Sequence, residues 1–232
     1  MTPDDDLRID AGAPAPPPSE TLRRKVAGMQ PARTRSPLRE AVMVALVMLA
    51  LLALAFSFFH LRRDLAYLPR GWLIAVALSW LTASFGPLFL SLMPRRGQVL
   101  PDGRRALVWG VVGWCAMLAI AGLATASAPG HSLIVPPGRF WPLALHCCSI
   151  TVFVFAGAFP PLLVALKRLV LVGGVLAGAA AGIAAGSLGG LLLHFVCAYA
   201  EPGHVMCGHV LAVLLCAILG GVAGGLTFSR AR

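Results

Sequence analysis

Six long apolar runs dominate the chain, near residues 41–59, 72–93, 106–126, 143–165, 169–196 and 205–228, and the stretches between them are short and carry most of the charge. A helix crossing the hydrocarbon core of a bilayer takes about 20 apolar residues at roughly 1.5 Å each. Each run meets that length. The pattern therefore predicts an all-α polytopic membrane protein, a bundle of six transmembrane helices occupying residues 41–232, preceded by a polar tail at 1–40. The first apolar run begins only after this Pro-rich tail, so no cleaved leader is expected. Within the tail, residues 1–18 are acidic and then rich in Pro and Ala, which predicts disorder. The stretch SETLRRKVAGMQP follows, with Leu22, Val26 and Met29 at i, i+4 and i+7 and Ser19 or Thr21 available as a cap. That spacing predicts a short amphipathic helix ending near Gly28 and Pro31. Its basic and apolar faces suit either an anionic membrane surface or a groove on a protein partner.

Composition sharpens this picture. The chain is 58% hydrophobic and only 12% charged, with a mean hydropathy of +0.83, values outside the soluble range. Its nine acidic residues all fall outside the apolar runs. Alternating the loops between two sides leaves Arg62, Arg63, Arg70 and Arg139 as the only Lys or Arg on one of them. Basic flanks stay in the cytoplasm, so both termini are expected there, as an even number of spans requires. The same topology accounts for the formal net charge of +10, and direct nucleic-acid binding is not called for.

The fifth run carries Gly174, Gly178, Gly182, Gly186 and Gly190, and the sixth carries Gly220, Gly221, Gly224 and Gly225. Small residues every four positions let helix backbones approach closely in lipid. These two helices should pack tightly on each other or on a second copy of the chain, the latter giving a homo-oligomer.

Catalytic chemistry finds little to work with. The spans hold no carboxylate and no Lys or Arg, which removes carboxylate pairs and acid-oriented serine nucleophiles and predicts that the chain is not an enzyme. What remains is His and Cys. The stretch HFVCAYAEPGHVMCGH, residues 194–209, contains His194, Cys197, His204, Cys207 and His209, and His146 with Cys147 heads the fourth run. By the charge-derived topology all of these lie at the non-cytoplasmic ends. Imidazole and thiolate together suit zinc, cadmium or copper, bound transiently, with no cofactor required. The same thiols could instead close a disulfide in an oxidising compartment, or simply pack. Residue types leave these three readings open.

The His146-Cys147 pair at the fourth run, LLLHFVC and then GHVMCGH, together with six spans and a Pro-containing N-terminal stretch, resemble the NrsF family of bacterial inner-membrane anti-sigma factors. The resemblance covers roughly residues 20–226. It implies a multi-pass protein of the bacterial inner membrane that sequesters an extracytoplasmic-function sigma factor and releases it under heavy-metal or thiol-oxidative stress. It further implies that the sensing pair falls on Cys147 and Cys197, and that Leu22, Arg23, Arg24, Val26 and Met29, with Lys25, contact the sigma factor. The chain departs from the family in having Cys148 beside Cys147, Ala198 where a proline is usual, and an additional Cys207. Two other classes compete. A metal or small-molecule transporter would use the same His and Cys for capture, although the spans offer only hydroxyl groups as a path. A non-catalytic structural membrane subunit would use them for nothing.

Overall fold

The computed structural model of the protein describes residues 19–20, 36–92, 108–113, 130–168, 174–199 and 201–229. The expected amphipathic helix, with Leu22, Arg23, Arg24, Val26 and Met29, lies outside these, as does the expected disordered stretch 1–18. Of the third expected span only 108–113 is described, and it is helical.

The only regular elements among the described residues are helices, with no strand and one isolated bridge between Leu133 and Tyr199. Helix α1 is Pro37–Phe58, α2 is Arg70–Leu92, α3 is Phe140–Arg168 and α4 is Gly174–Val196. A short helix α5, Pro202–Val205, runs through a π turn at Met206–Val210 into α6, Leu211–Ser229. Five of these stretches, counting 202–228 as one, are long and apolar enough to cross a membrane.

The helices divide by how much of themselves they bury. Helix α1 starts at Pro37, whose fixed φ and missing N–H suit a first helical position. It buries one stripe, Ala41, Val44, Met48 and Leu52, while Leu38, Met43, Leu46, Leu49 and Leu54 point away from the bundle. An apolar exterior of this kind costs nothing in lipid and a great deal in water. Helix α4 is the opposite case: 83% of its apolar window is buried, against 22% for α1. It is the central post of the bundle and packs against α2, α3 and α6.

Glycine makes this position possible. A Cβ on Gly178 would run into the Gly220 carbonyl oxygen, one on Gly182 into that of Cys216, and one on Gly224 into that of Gly174. The backbones of α4 and α6 are therefore in direct contact, along the glycine spacing read from the sequence. Further along α4 the space at Gly189 is filled by Thr151 of α3 and that at Gly190 by the Trp80 ring of α2. Ser84 of α2 donates to the Ala184 carbonyl at 2.8 Å. The expectation that the two Gly-rich helices pack on each other is met within a single chain.

Candidate metal and thiol site

The site sits where α3, the end of α4, α5 and the π turn meet at one end of the bundle. Cys147 lies in the second turn of α3, Cys197 is the first residue beyond α4, His204 belongs to α5 and His209 to the π turn. All four are buried, with His204 fully so. The Cys147 thiol donates to the Cys197 sulfur at 3.8 Å, and both thiols are free. Nε2 of His204 lies 3.5 Å from Sγ of Cys147 and 3.4 Å from Sγ of Cys197. One ligand atom from each of the four residues falls within 4.8 Å of every other.

Local structure explains why these four converge. In an α-helix, residues four apart share a face and residues five apart do not. The π turn, with its i→i+5 bonds, restores alignment at a spacing of five. His204 and His209 are five apart, and their ring centroids come within 5.6 Å. Pro202 takes the first position of α5 and so sets where this helix begins. Gly208, inside the turn, lets it press on α3: a Cβ there would lie 3.2 Å from both the Ala144 carbonyl and the Cys147 Cβ.

Burial of polar groups is incomplete in a telling way. Nδ1 of His204 and Nε2 of His209 have no hydrogen-bond partner among the described residues. A buried, unpaired polar atom costs about 1–3 kcal/mol, so two in one cluster call for a ligand or a function. Cys197 stands just past the end of α4. The hydrogen bond that Cys147 donates, with His204 and His209 beside it, holds its thiol below the ordinary thiol range against the upward push of burial.

The other sequence candidates are placed elsewhere. His146 adjoins Cys147, about 100° round the helix, and is exposed. His194 turns away from the sulfurs: its Nε2 lies 3.2 Å from the Leu73 carbonyl oxygen, and its ring packs against Trp72 and Phe195. Cys207 and Cys148 are half-buried and outside the four-residue set, while Cys216 fills the space beside Gly186. His60 and His131 are exposed, the latter stacked on Tyr67.

Sequence reasoning missed a polar latch beside this site. Arg62 donates to both oxygens of Asp64, at 2.5 and 2.6 Å, and the pair is buried. Ser132 donates to the same carboxylate at 2.6 Å, tying the loop after α1 to the loop before α3. The Leu133 amide donates to the Ala198 carbonyl at 3.2 Å and the Arg62 amide to that of Phe195 at 2.9 Å. The Val135 amide donates to the Glu201 carboxylate at 2.7 Å. The latch thus grips the chain on both sides of Cys197. Burial pushes Asp64 upward, yet its bonds from Arg62 and Ser132 and the Arg62 charge outweigh that and hold it below the usual carboxylate value. The one cue in the sequence was Asp64 itself, an acidic residue two positions from an arginine in a short interhelical loop.

Residues 26–229 match the family model described as NrsF, negative regulator of sigma F. No curated protein and no solved structure matches the chain.

Proposed function

The chain belongs to the NrsF family, whose members are described as negative regulators of sigma F, and we propose that it holds a sigma factor of the extracytoplasmic-function class inactive at the bacterial inner membrane. The observation that carries this reading is the family match, which spans nearly the whole chain, residues 26–229. Five helices fit for a bilayer support the membrane address. In this reading both termini are cytoplasmic, following the basic residues of the tail and the loops at 94–105 and 167–168. The tail, residues 1–40, then meets the sigma factor, with Leu22, Val26 and Met29 as the apolar stripe and Arg23 and Arg24 as its charged flank. A role of this kind works by sequestration and needs no catalysis.

Release is the second half of the role. We place the sensor at Cys147 and Cys197, the buried sulfurs 3.8 Å apart, which soft metals and thiol oxidants both attack. Cys197 lies between two hydrogen bonds of the latch, at Phe195 and Ala198, so any change at its sulfur pulls on the loops at this end of the bundle. Packed helices with two discrete arrangements carry such a change across a membrane.

Transcription from sigma-dependent promoters, measured with and without cadmium or a thiol oxidant, tests the reading. The wild-type chain is expected to repress without stress and to release under it. The combined substitution Cys147→Ser and Cys197→Ser should keep repression and lose release. A full chain that retains no extracytoplasmic-function sigma factor in a detergent pull-down would overturn the proposal.

A further inference from the structure

The distances among the four buried side chains match a shape. Zinc bound by thiolate and imidazole has arms of about 2.3 Å to sulfur and about 2.05 Å to nitrogen. In a tetrahedron with those arms, two sulfurs stand about 3.8 Å apart, and a sulfur and a nitrogen about 3.6 Å. The sulfurs of Cys147 and Cys197 are 3.8 Å apart, and Nε2 of His204 lies 3.5 and 3.4 Å from them. Three vertices of the polyhedron are thus set, and His209 stands 5.6 Å away, ring to ring, with a buried Nε2 that has no other partner among the described residues. A small shift of one imidazole supplies the fourth.

We infer that Cys147, Cys197, His204 and His209 form a closed tetrahedral site for one soft or borderline divalent cation, zinc or cadmium, and that this cation and a Cys147–Cys197 disulfide exclude each other. Four protein ligands leave no coordination position for water, so the site is a structural clamp and not a catalytic metal centre. Oxygen-seeking cations such as magnesium find no carboxylate in it.

The exclusion follows from the electrons. A metal-bound thiolate pair meets a small disulfide RSSR, which is the oxidant. The RS–SR bond breaks, the Cys147–Cys197 bond forms, two electrons pass to the oxidant, two RS⁻ depart, and the cation loses both sulfur ligands and leaves. The cation screws the first turns of α3 and the end of α4 to α5 and the π turn, whereas the disulfide joins α3 to the end of α4 alone and frees both histidines. This rests on the sensing role proposed above for its consequence, but the binding itself is independent of any sigma factor.

Cobalt titrated into the reduced, metal-free full chain in detergent micelles tests the geometry. The expected result is one cobalt per chain, with the intense visible bands of a tetrahedral ion and thiolate charge transfer, displaced by zinc or cadmium and not by magnesium. Cys147→Ser, Cys197→Ser, His204→Gln and His209→Gln should each weaken binding by more than ~100-fold, since even outer-shell partners cost about 10–100-fold. Cys207→Ser and His146→Gln should leave binding unchanged. His209→Cys, which supplies sulfur in place of nitrogen, should bind cobalt with added charge-transfer intensity, a gain that a misfolded variant cannot give. Zinc should protect Cys147 and Cys197 from N-ethylmaleimide while Cys207 stays reactive, and oxidised glutathione should release the zinc as the two cysteines join.

A pale octahedral spectrum, no stoichiometric binding, or binding indifferent to both histidine substitutions would overturn the inference. So would a Cys147–Cys197 bridge that forms with zinc still bound. Sigma-factor capture by the same preparations separates the two claims: capture without metal binding sinks this inference alone, and metal binding without capture sinks the proposed function alone.

Discussion

Helices α4 and α6 meet twice, and the two meetings are built on opposite plans. Along the glycine seam, Gly174, Gly178 and Gly182 face Gly220, Gly224 and the Cys216 backbone, so closely that a single added carbon has nowhere to go. At the Cys/His end the same two helices stop short of each other. Cys197 leaves α4, the π turn leads into α6, and between them lie four polar side chains with two unpaired ring nitrogens. Backbone against backbone permits one arrangement. Side chains that bond to a metal, to each other, or to neither permit several. On the proposed role, which asks the chain both to hold its shape and to change state, keeping these plans apart lets α4 stay fixed where it is a post and leaves change to its end.

The contrast can be attacked first at the latch that grips the chain on both sides of Cys197. Asp64→Asn leaves the Arg62 guanidinium buried without its carboxylate, and losing one partner of a buried pair costs about 3–5 kcal/mol. Thermal unfolding of the purified variant in detergent should show the largest loss of stability among these changes. Gly178→Leu comes next, since a side chain there meets the Gly220 carbonyl. Overpacking of this kind costs roughly 1–3 kcal/mol and should sit at the top of that range. Gly86→Ala, which enters open space, should stay within about 0.5 kcal/mol of wild type. Equal effects at Gly178 and Gly86 would dissolve the idea of a rigid seam.

Acid should loosen the latch and spare the seam. Asp64 has its carboxyl lowered in the folded chain, so its contribution is complete above the unfolded value, near 3.9, and fades as pH falls through the folded value below it. The wild type should lose stability in that window, and Asp64→Asn, having no carboxylate to titrate, should lack this component. The site should matter less to folding than the latch or the seam. Cys147→Ser and Cys197→Ser should each cost roughly 1 kcal/mol in stability while abolishing release of the sigma factor. A larger cost than the Gly178→Leu change would make the cysteines part of the scaffold.

Much of the fold was written in the hydropathy pattern. The runs at 41–59, 72–93, 143–165 and 205–228 correspond to helices that begin a few residues earlier, because Pro37, Arg70, Phe140 and Pro202 start them ahead of the apolar core. The glycine spacing named the α4–α6 contact, since only backbone proximity gives a glycine every fourth residue a purpose. The site was less legible. Cys147, Cys197, His204 and His209 all stood among the candidates, but so did His146, His194 and Cys207. Helical phase separates His146 from Cys147. His194 is drawn off by the Leu73 carbonyl and the Trp72 ring, partners more than 120 residues away that no local pattern contains. The pairing of His204 with His209 depends on a π turn, which an α-helical reading of the same spacing places on different faces. Arg62 and Asp64 looked like ordinary loop charges, because burial by three converging loops is a tertiary fact.

The π turn at Met206–Val210 has a consequence for how this site is gained and lost. A helix accommodates five residues there where four would continue it smoothly. Removing Val210, the one residue of the turn beyond His209, would return the segment to plain α-helix without altering its apolar character, its length as a span to any serious degree, or any cysteine or histidine. The two imidazoles, still five residues apart, would then stand about 140° from each other round the helix. A one-residue gap between His209 and Leu211 in a related chain would therefore mark a site whose two imidazoles no longer converge, with every cysteine and histidine still in place.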